Sequence, residues 1–140
     1  MRNVTVEQAE SASRGRAIIM GLAAAVLLLN VYLQYGNPHY VEANARGGSW
    51  LLVIALWMLI LANGGGLRLR GRMRELLNDE LSLKNRSKAL AAGFYMALAA
   101  ALAVYVATWR VEIVAGDAIK LVTAAGLSTA LAVYAWLEWN

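Results

Sequence analysis

What most constrains this chain is the gathering of its apolar residues into four long blocks, with nearly all the charge confined to the stretches between them. A chain that crosses hydrocarbon repeatedly has to be built this way, because each crossing must satisfy its backbone internally and leave its ionised groups at the edges. With 60% hydrophobic and only 16% charged residues, the chain is also more apolar than an ordinary globular domain. The expectation is an all-α integral membrane four-helix bundle in which all 140 residues form one membrane domain.

The blocks predict spans at 17–35, 50–67, 89–109 and 114–136. The first, through Ile18, Leu22 and the run Val26 to Leu29, is long enough for roughly 30 Å of hydrocarbon. A signal peptide is the rival reading, since Arg14 and Arg16 precede the run and Ala43-Asn44-Ala45 resembles a cleavage site. The run is too long and that site too distant, so an uncleaved span is expected. The second block is interrupted by Gly64-Gly65-Gly66 and reaches full length only if Arg68 snorkels to the interface. The third and fourth are joined so closely, through Arg110-Val111-Glu112-Ile113, that they must form an antiparallel hairpin. Trp50, Trp109, Trp136 and Trp139 fall at span ends, where interfacial aromatics belong.

Orientation follows from the basic residues. The loop over 68–88 carries Arg68, Arg70, Arg72, Arg74, Lys84, Arg86 and Lys88, against Arg46 in the first loop and Arg110 in the third. The positive-inside rule makes the central loop cytoplasmic, and an even number of spans then puts the N and C termini there too. The multi-pass chain is expected in a cell inner membrane. Its net charge of +4 reads as topology and contact with anionic lipid headgroups, through Arg68, Arg70, Arg72 and Arg74, rather than as direct nucleic-acid binding.

Helix association in lipid lacks a hydrophobic drive and relies on close approach through small residues. Ala89, Gly93, Ala97, Ala100, Val104 and Ala107 form such a stripe on the third span, and Ala118, Val122, Ala125, Thr129 and Ala132 are expected to meet it on the fourth. No full GxxxG occurs. Asp117 and Lys120 stand at i and i+3 and are expected to pair. Asn30 and Gln34, four residues apart on the first span, suit bridges to a neighbouring helix.

The central loop holds the remaining signals. Met73, Leu76, Leu77 and Leu81 fall at helical spacing, which suits a short amphipathic turn on the membrane surface or in a partner's groove. At Asn78-Asp79-Glu80 the pattern becomes a helix start, with Asn78 placed to cap, the two acids favoured by the helix dipole, and Glu80 and Lys84 at i and i+4. The third helix is therefore expected to begin well before its span and to project into the cytoplasm. Its base resembles the "NDE…NR…A" segment that precedes the third helix in small four-helix bacterial membrane proteins of unknown function. That resemblance covers a short part of the chain. It implies a cytoplasmic protein partner, of which a DNA-binding regulator held at the membrane is one kind, and a docking surface at Asp79, Glu80, Lys84, Asn85 and Arg86.

Catalysis is not expected. His39 is the only histidine, cysteine is absent, no carboxylate pair lies mid-span, and Gly64-Gly65-Gly66 lacks the Lys and Ser/Thr of a phosphate loop. No cofactor or metal is expected either. Two functions remain: a non-enzymatic regulatory or scaffold protein that binds a cytoplasmic partner, and a subunit of a small oligomeric transporter or channel, working as a homo-oligomer. The topology is checked by placing single cysteines at Ser49 and Ser82, which should label from opposite sides of the membrane with Ser49 outside; labelling of both from one side excludes four spans.

Overall fold

The computed structural model describes residues 6–36, 48–62 and 80–139, and outside one connection these are helical. In chain order the helices are α1 Val6–Gly36, α2 Gly48–Ala62, α3 Glu80–Ala107 and α4 Ala115–Trp139, with no strand among the described residues. Three stretches are long and apolar enough to cross a membrane: Ser13–Leu33, Ser82–Ala107 and Ala115–Trp139. The apolar part of α2, Trp50–Ala62, is shorter. At 15 residues the whole of α2 is about 22 Å long, less than the ~30 Å of hydrocarbon. Its expected extension to residue 67 lies outside the described residues, as do Arg68, Arg70, Arg72, Arg74, Asn78 and Asp79. The described part of α3 begins at Glu80, and its 28 residues give about 42 Å of helix, more than one crossing needs.

α4 is the hub. It packs along its length on α1 and on α3, while α2 touches it only lightly. Ala17, Met20, Ala23, Ala24 and Leu27 form the buried face of α1, spaced as one side of a helix must be. The largest fully buried side chains are Tyr134, Met20, Leu27 and Leu131. Elsewhere small residues such as Ala89, Gly93, Gly126 and Ala130 are buried, while Leu22 (62% exposed), Leu52 (73%), Phe94 and Leu102 point outward, the inverse of a water-soluble bundle. Helices that are apolar all round belong in an apolar surrounding.

The approach of α3 to α4 is closest at Gly93 and Gly126. A Cβ on Gly93 would lie 2.6 Å from the Gly126 carbonyl oxygen and 2.7 Å from the Ala130 Cβ, and one on Gly126 would lie 2.9 Å from the Ala97 Cβ. The α3 stripe therefore faces α4 as expected over Gly93 and Ala97. On α4 the contact face differs from the expected one. Gly126 and Ala130, each one position beyond Ala125 and Thr129, meet α3, Val122 of the expected stripe lines the same seam, and Ala132 is exposed. One residue corresponds to about 100° of rotation. The reason is size: Gly126 is the smallest residue in the middle of α4, and turning it inward brings the two backbones close enough for dispersion to accumulate along both helices.

The α3–α4 connection runs over residues 108–114. It opens with Thr108 N–H donating to the Val104 carbonyl at 3.0 Å and Val111 N–H to Ala107 at 3.0 Å. Asp117 and Lys120 pair at 3.7 Å in the first turns of α4, where the carboxylate also suits the helix dipole. Trp109, Trp136 and Trp139 are exposed, as interfacial aromatics should be, whereas Trp50 is buried. Of the polar pair on α1, Asn30 is half-buried and the Gln34 side chain lies outside the described residues.

Substitution tests the close approach. Gly93→Ala and Gly126→Ala should each lower the melting temperature in detergent, with an overpacking cost of about 1–3 kcal/mol. Gly21→Ala, whose Cβ would sit 3.9 Å from that of Ala135, and Leu98→Ala, on the exposed side of α3, should be mild. Equal behaviour of all four would mean that α3 and α4 do not meet through these glycines.

Candidate functional site

The N-terminal half of α1, the C-terminal end of α2, the base of α3 and the C-terminal end of α4 converge at one end of the bundle, and the interhelical polar contacts gather there. This follows from the up-down-up-down order of the helices, which brings two helix starts beside two helix ends. Each helix end leaves its last carbonyls without an intrahelical partner. Three of these are satisfied by side chains from neighbouring helices. Ser13 Oγ donates to the Glu138 carbonyl at 3.3 Å, Asn85 Nδ2 donates to the Leu137 carbonyl at 3.2 Å, and Arg86 Nη1 donates to the Ala62 carbonyl at 2.6 Å. α1 and α3 thus cap α4, and α3 caps α2.

An ion pair reinforces the α1–α4 junction. Arg16 Nη2 lies 2.8 Å from Glu138 Oε2, with the two side chains only 11% and 4% exposed, and Ser13 Oγ is 3.1 Å from the same carboxylate oxygen. Glu138 sits in the last turn of α4, where the helix dipole disfavours an anion, so a cation from another helix is what makes the position tolerable. Nearby, the hydroxyls of Ser82 and Tyr134 share a hydrogen bond at 3.3 Å, which gives a buried phenol its partner.

These contacts divide the expected docking residues. Asn85 is buried and engaged with α4, so it holds the bundle together and offers nothing to an outside molecule. Arg86 is half-buried and reaches α2. Lys84 is exposed, as are Ser87 and Lys88, and Lys84 and Lys88 share one face at i and i+4. α3 begins at Glu80, but the Glu80 side chain lies outside the described residues together with Asp79 and the four arginines of the loop. The exposed face at this end is therefore cationic among the described residues, with Arg14 also exposed on α1.

The inward network was not anticipated from the residues. Glu138 carried a usable signal: a carboxylate between Leu137 and Trp139 at a helix C-terminus, with no base one turn before it, needs a cation from elsewhere in the fold. At mid-depth the polar groups turn back on their own helix. Thr123 Oγ1 donates to the Ile119 carbonyl at 2.7 Å, and Ser128 Oγ to the Ala125 carbonyl at 3.3 Å. Among the described residues no three His, Cys, Asp or Glu side chains come together in a way that would hold a metal, and His39 lies outside them.

The arrangement belongs to the class of all-helical bundles with several helices apolar and long enough to cross a membrane. The chain matches no protein family, no curated protein and no solved structure.

The buried pair has an asymmetric signature. Glu138→Ala strands the Arg16 guanidinium in a nearly closed site and should cost about 3–5 kcal/mol, whereas the double variant Arg16→Met/Glu138→Leu should recover most of that loss. The comparison of melting temperatures in detergent checks it; additive losses in the double variant would mean that the two groups do not depend on each other.

Proposed function

We propose that this chain is a non-enzymatic protein of the bacterial inner membrane, multi-pass with both termini cytoplasmic, that holds a cytoplasmic partner at the membrane as a regulator or scaffold. The observation that carries this reading is the division of the polar end into an inward half, engaged in capping, and an outward ridge of Lys84, Ser87 and Lys88 that is left exposed on a well-supported helix. A ridge fixed on a rigid helix loses little entropy on binding. Its charge suits an acidic partner surface, and a DNA-binding regulator is the kind of partner that the resemblance of the 77–90 segment implies. The basic loop before α3 extends the same charge and contacts lipid headgroups.

The reading as a subunit of an oligomeric channel or transporter ranks second. A transport path requires polar groups through the middle of the membrane. Here Thr123 and Ser128 bond to their own helix, and Met20, Leu27, Leu131 and Tyr134 fill the interior. A pore would have to form between copies.

Co-purification from native membranes, with identification of what remains bound, tests the proposal. Lys84→Glu/Lys88→Glu should release the partner while changing stability by no more than about 1 kcal/mol, the scale of exposed charges. Asn85→Ala should do the reverse, lowering the melting temperature while keeping the partner below it. Retention of the partner by the charge-reversed variant would remove the ridge from the docking surface.

A further inference from the structure

The helices leave a groove of about 460 Å³ where α2, α3 and α4 come together, and it combines Arg86 with residues of the α3–α4 packing seam. Its walls include Ile54 and Met58 from α2, Leu90 and Phe94 from α3 and Leu127 from α4, and Arg86 stands at one end. Gly93, Ala97, Gly126 and Ala130 leave a low floor between α3 and α4, and Ile54, Met58 and Leu61 of α2 stand beside it. Thr123 also lines it, but its hydroxyl donates to its own helix, so the walls are apolar along their length.

Three features define an occupant. An open apolar groove in an apolar surrounding forfeits dispersion unless chain segments fill it, and water gains nothing there. From Arg86 to Ala97 the groove follows α3 for about 16 Å. That is roughly half of the ~30 Å hydrocarbon core, the depth of one leaflet. At the headgroup end the only charge in the lining, among the described residues, is the Arg86 guanidinium, one of whose five N–H donors is engaged by the Ala62 carbonyl. A planar donor fork that is held in place by a helix end is suited to a phosphate oxygen pair. We propose that the groove is a binding site for one anionic phospholipid of the cytoplasmic leaflet, with an acyl chain lying along Gly93 and Gly126 and the headgroup phosphate on Arg86. The site is separate from the Lys84–Lys88 ridge and does not require a cytoplasmic partner.

The test uses the full chain purified in dodecyl maltoside, given equal amounts of dioleoyl phosphatidylglycerol or dioleoyl phosphatidylcholine, with native mass spectrometry and melting temperature as readouts. One phosphatidylglycerol per chain should be retained and should raise the melting temperature, with phosphatidylcholine retained about tenfold less, because the trimethylammonium of its headgroup offsets the attraction of its phosphate to the guanidinium. Arg86→Gln should abolish the preference between the two lipids. Thr123→Phe, which places a ring in the groove without touching Arg86, should abolish retention of both while leaving the lipid-free melting temperature unchanged or higher, and Lys88→Gln should behave as the parent. Should Arg86→Gln fail to fold, Thr123→Phe alone decides. Equal retention of the two lipids by the parent chain, or undiminished retention by Thr123→Phe, overturns the proposal. A lipid-free dimer that Thr123→Phe disrupts also overturns it, because a second copy then covers the groove. A chain that purifies without detergent would instead remove the membrane reading itself.

Discussion

A helix that stops near the edge of an apolar medium leaves its last carbonyls without donors, and much of this structure is organised around meeting that need. In water the solvent would satisfy them; at a hydrocarbon boundary an unsatisfied group costs several kcal/mol. Two helices end at the polar end of the bundle, α2 at Ala62 and α4 at Trp139, and both receive donors from the helices that begin there. The residues that begin α1 and α3 are thereby committed. Ser13, Asn85 and Arg86 are positioned by the carbonyls they cap, and Arg16 by the carboxylate that Glu138 brings to an unfavourable end of its dipole. The outward ridge on α3 is what remains after these assignments.

The glycine contact makes this register attainable. Antiparallel α3 and α4 meet at Gly93 and Gly126, and about two to three turns toward the polar end the same pairing brings Ser82 to Tyr134 and Asn85 to Leu137. Bulkier residues at the crossing would separate the helix axes and pull the capping donors off their carbonyls. Close packing of small residues in the middle and hydrogen bonding at the end thus specify one register, each by a mechanism that does not depend on hydrophobic burial.

Much of the architecture was legible in the sequence. The apolar spans within α1, α3 and α4 follow from hydropathy and the Asp117–Lys120 pair from helical spacing, whereas the helical turns of α1 from Val6 up to the first span do not. The facing surfaces were less legible. Lipid and protein interior both accept apolar side chains, so periodicity of hydrophobicity does not separate them, and only residue size carries the information. On α3 glycine stands out, whereas on α4 alanines occur all round and Gly126 lies one position from the expected stripe. The capping network was hidden for a different reason. Ser13 and Glu138 are 125 residues apart, and no local pattern joins them. Asn85 read as part of an exposed polar segment because its neighbours Lys84 and Ser87 are exposed; a helix turns by about 100° per residue, so adjacent positions in such a segment need not share a fate.

Arg86 is where these constraints intersect. Its hydrogen bond to Ala62 ties α3 to the end of α2, and its guanidinium stands at the end of the groove that α2, α3 and α4 line. Two residues on either side along α3 are Lys84 and Lys88, both exposed. Helical geometry puts Lys84 and Lys88 on one side of α3 and Arg86 about 160° away on the other, so one short segment presents cations in two directions. The inward-leaning cation meets a carbonyl at the edge of the apolar groove; the outward pair meets water. A segment of alternating basic and neutral residues reads as a simple charged loop, but wound into a helix it separates into one cation that leans on a neighbouring helix end and a pair that stays exposed.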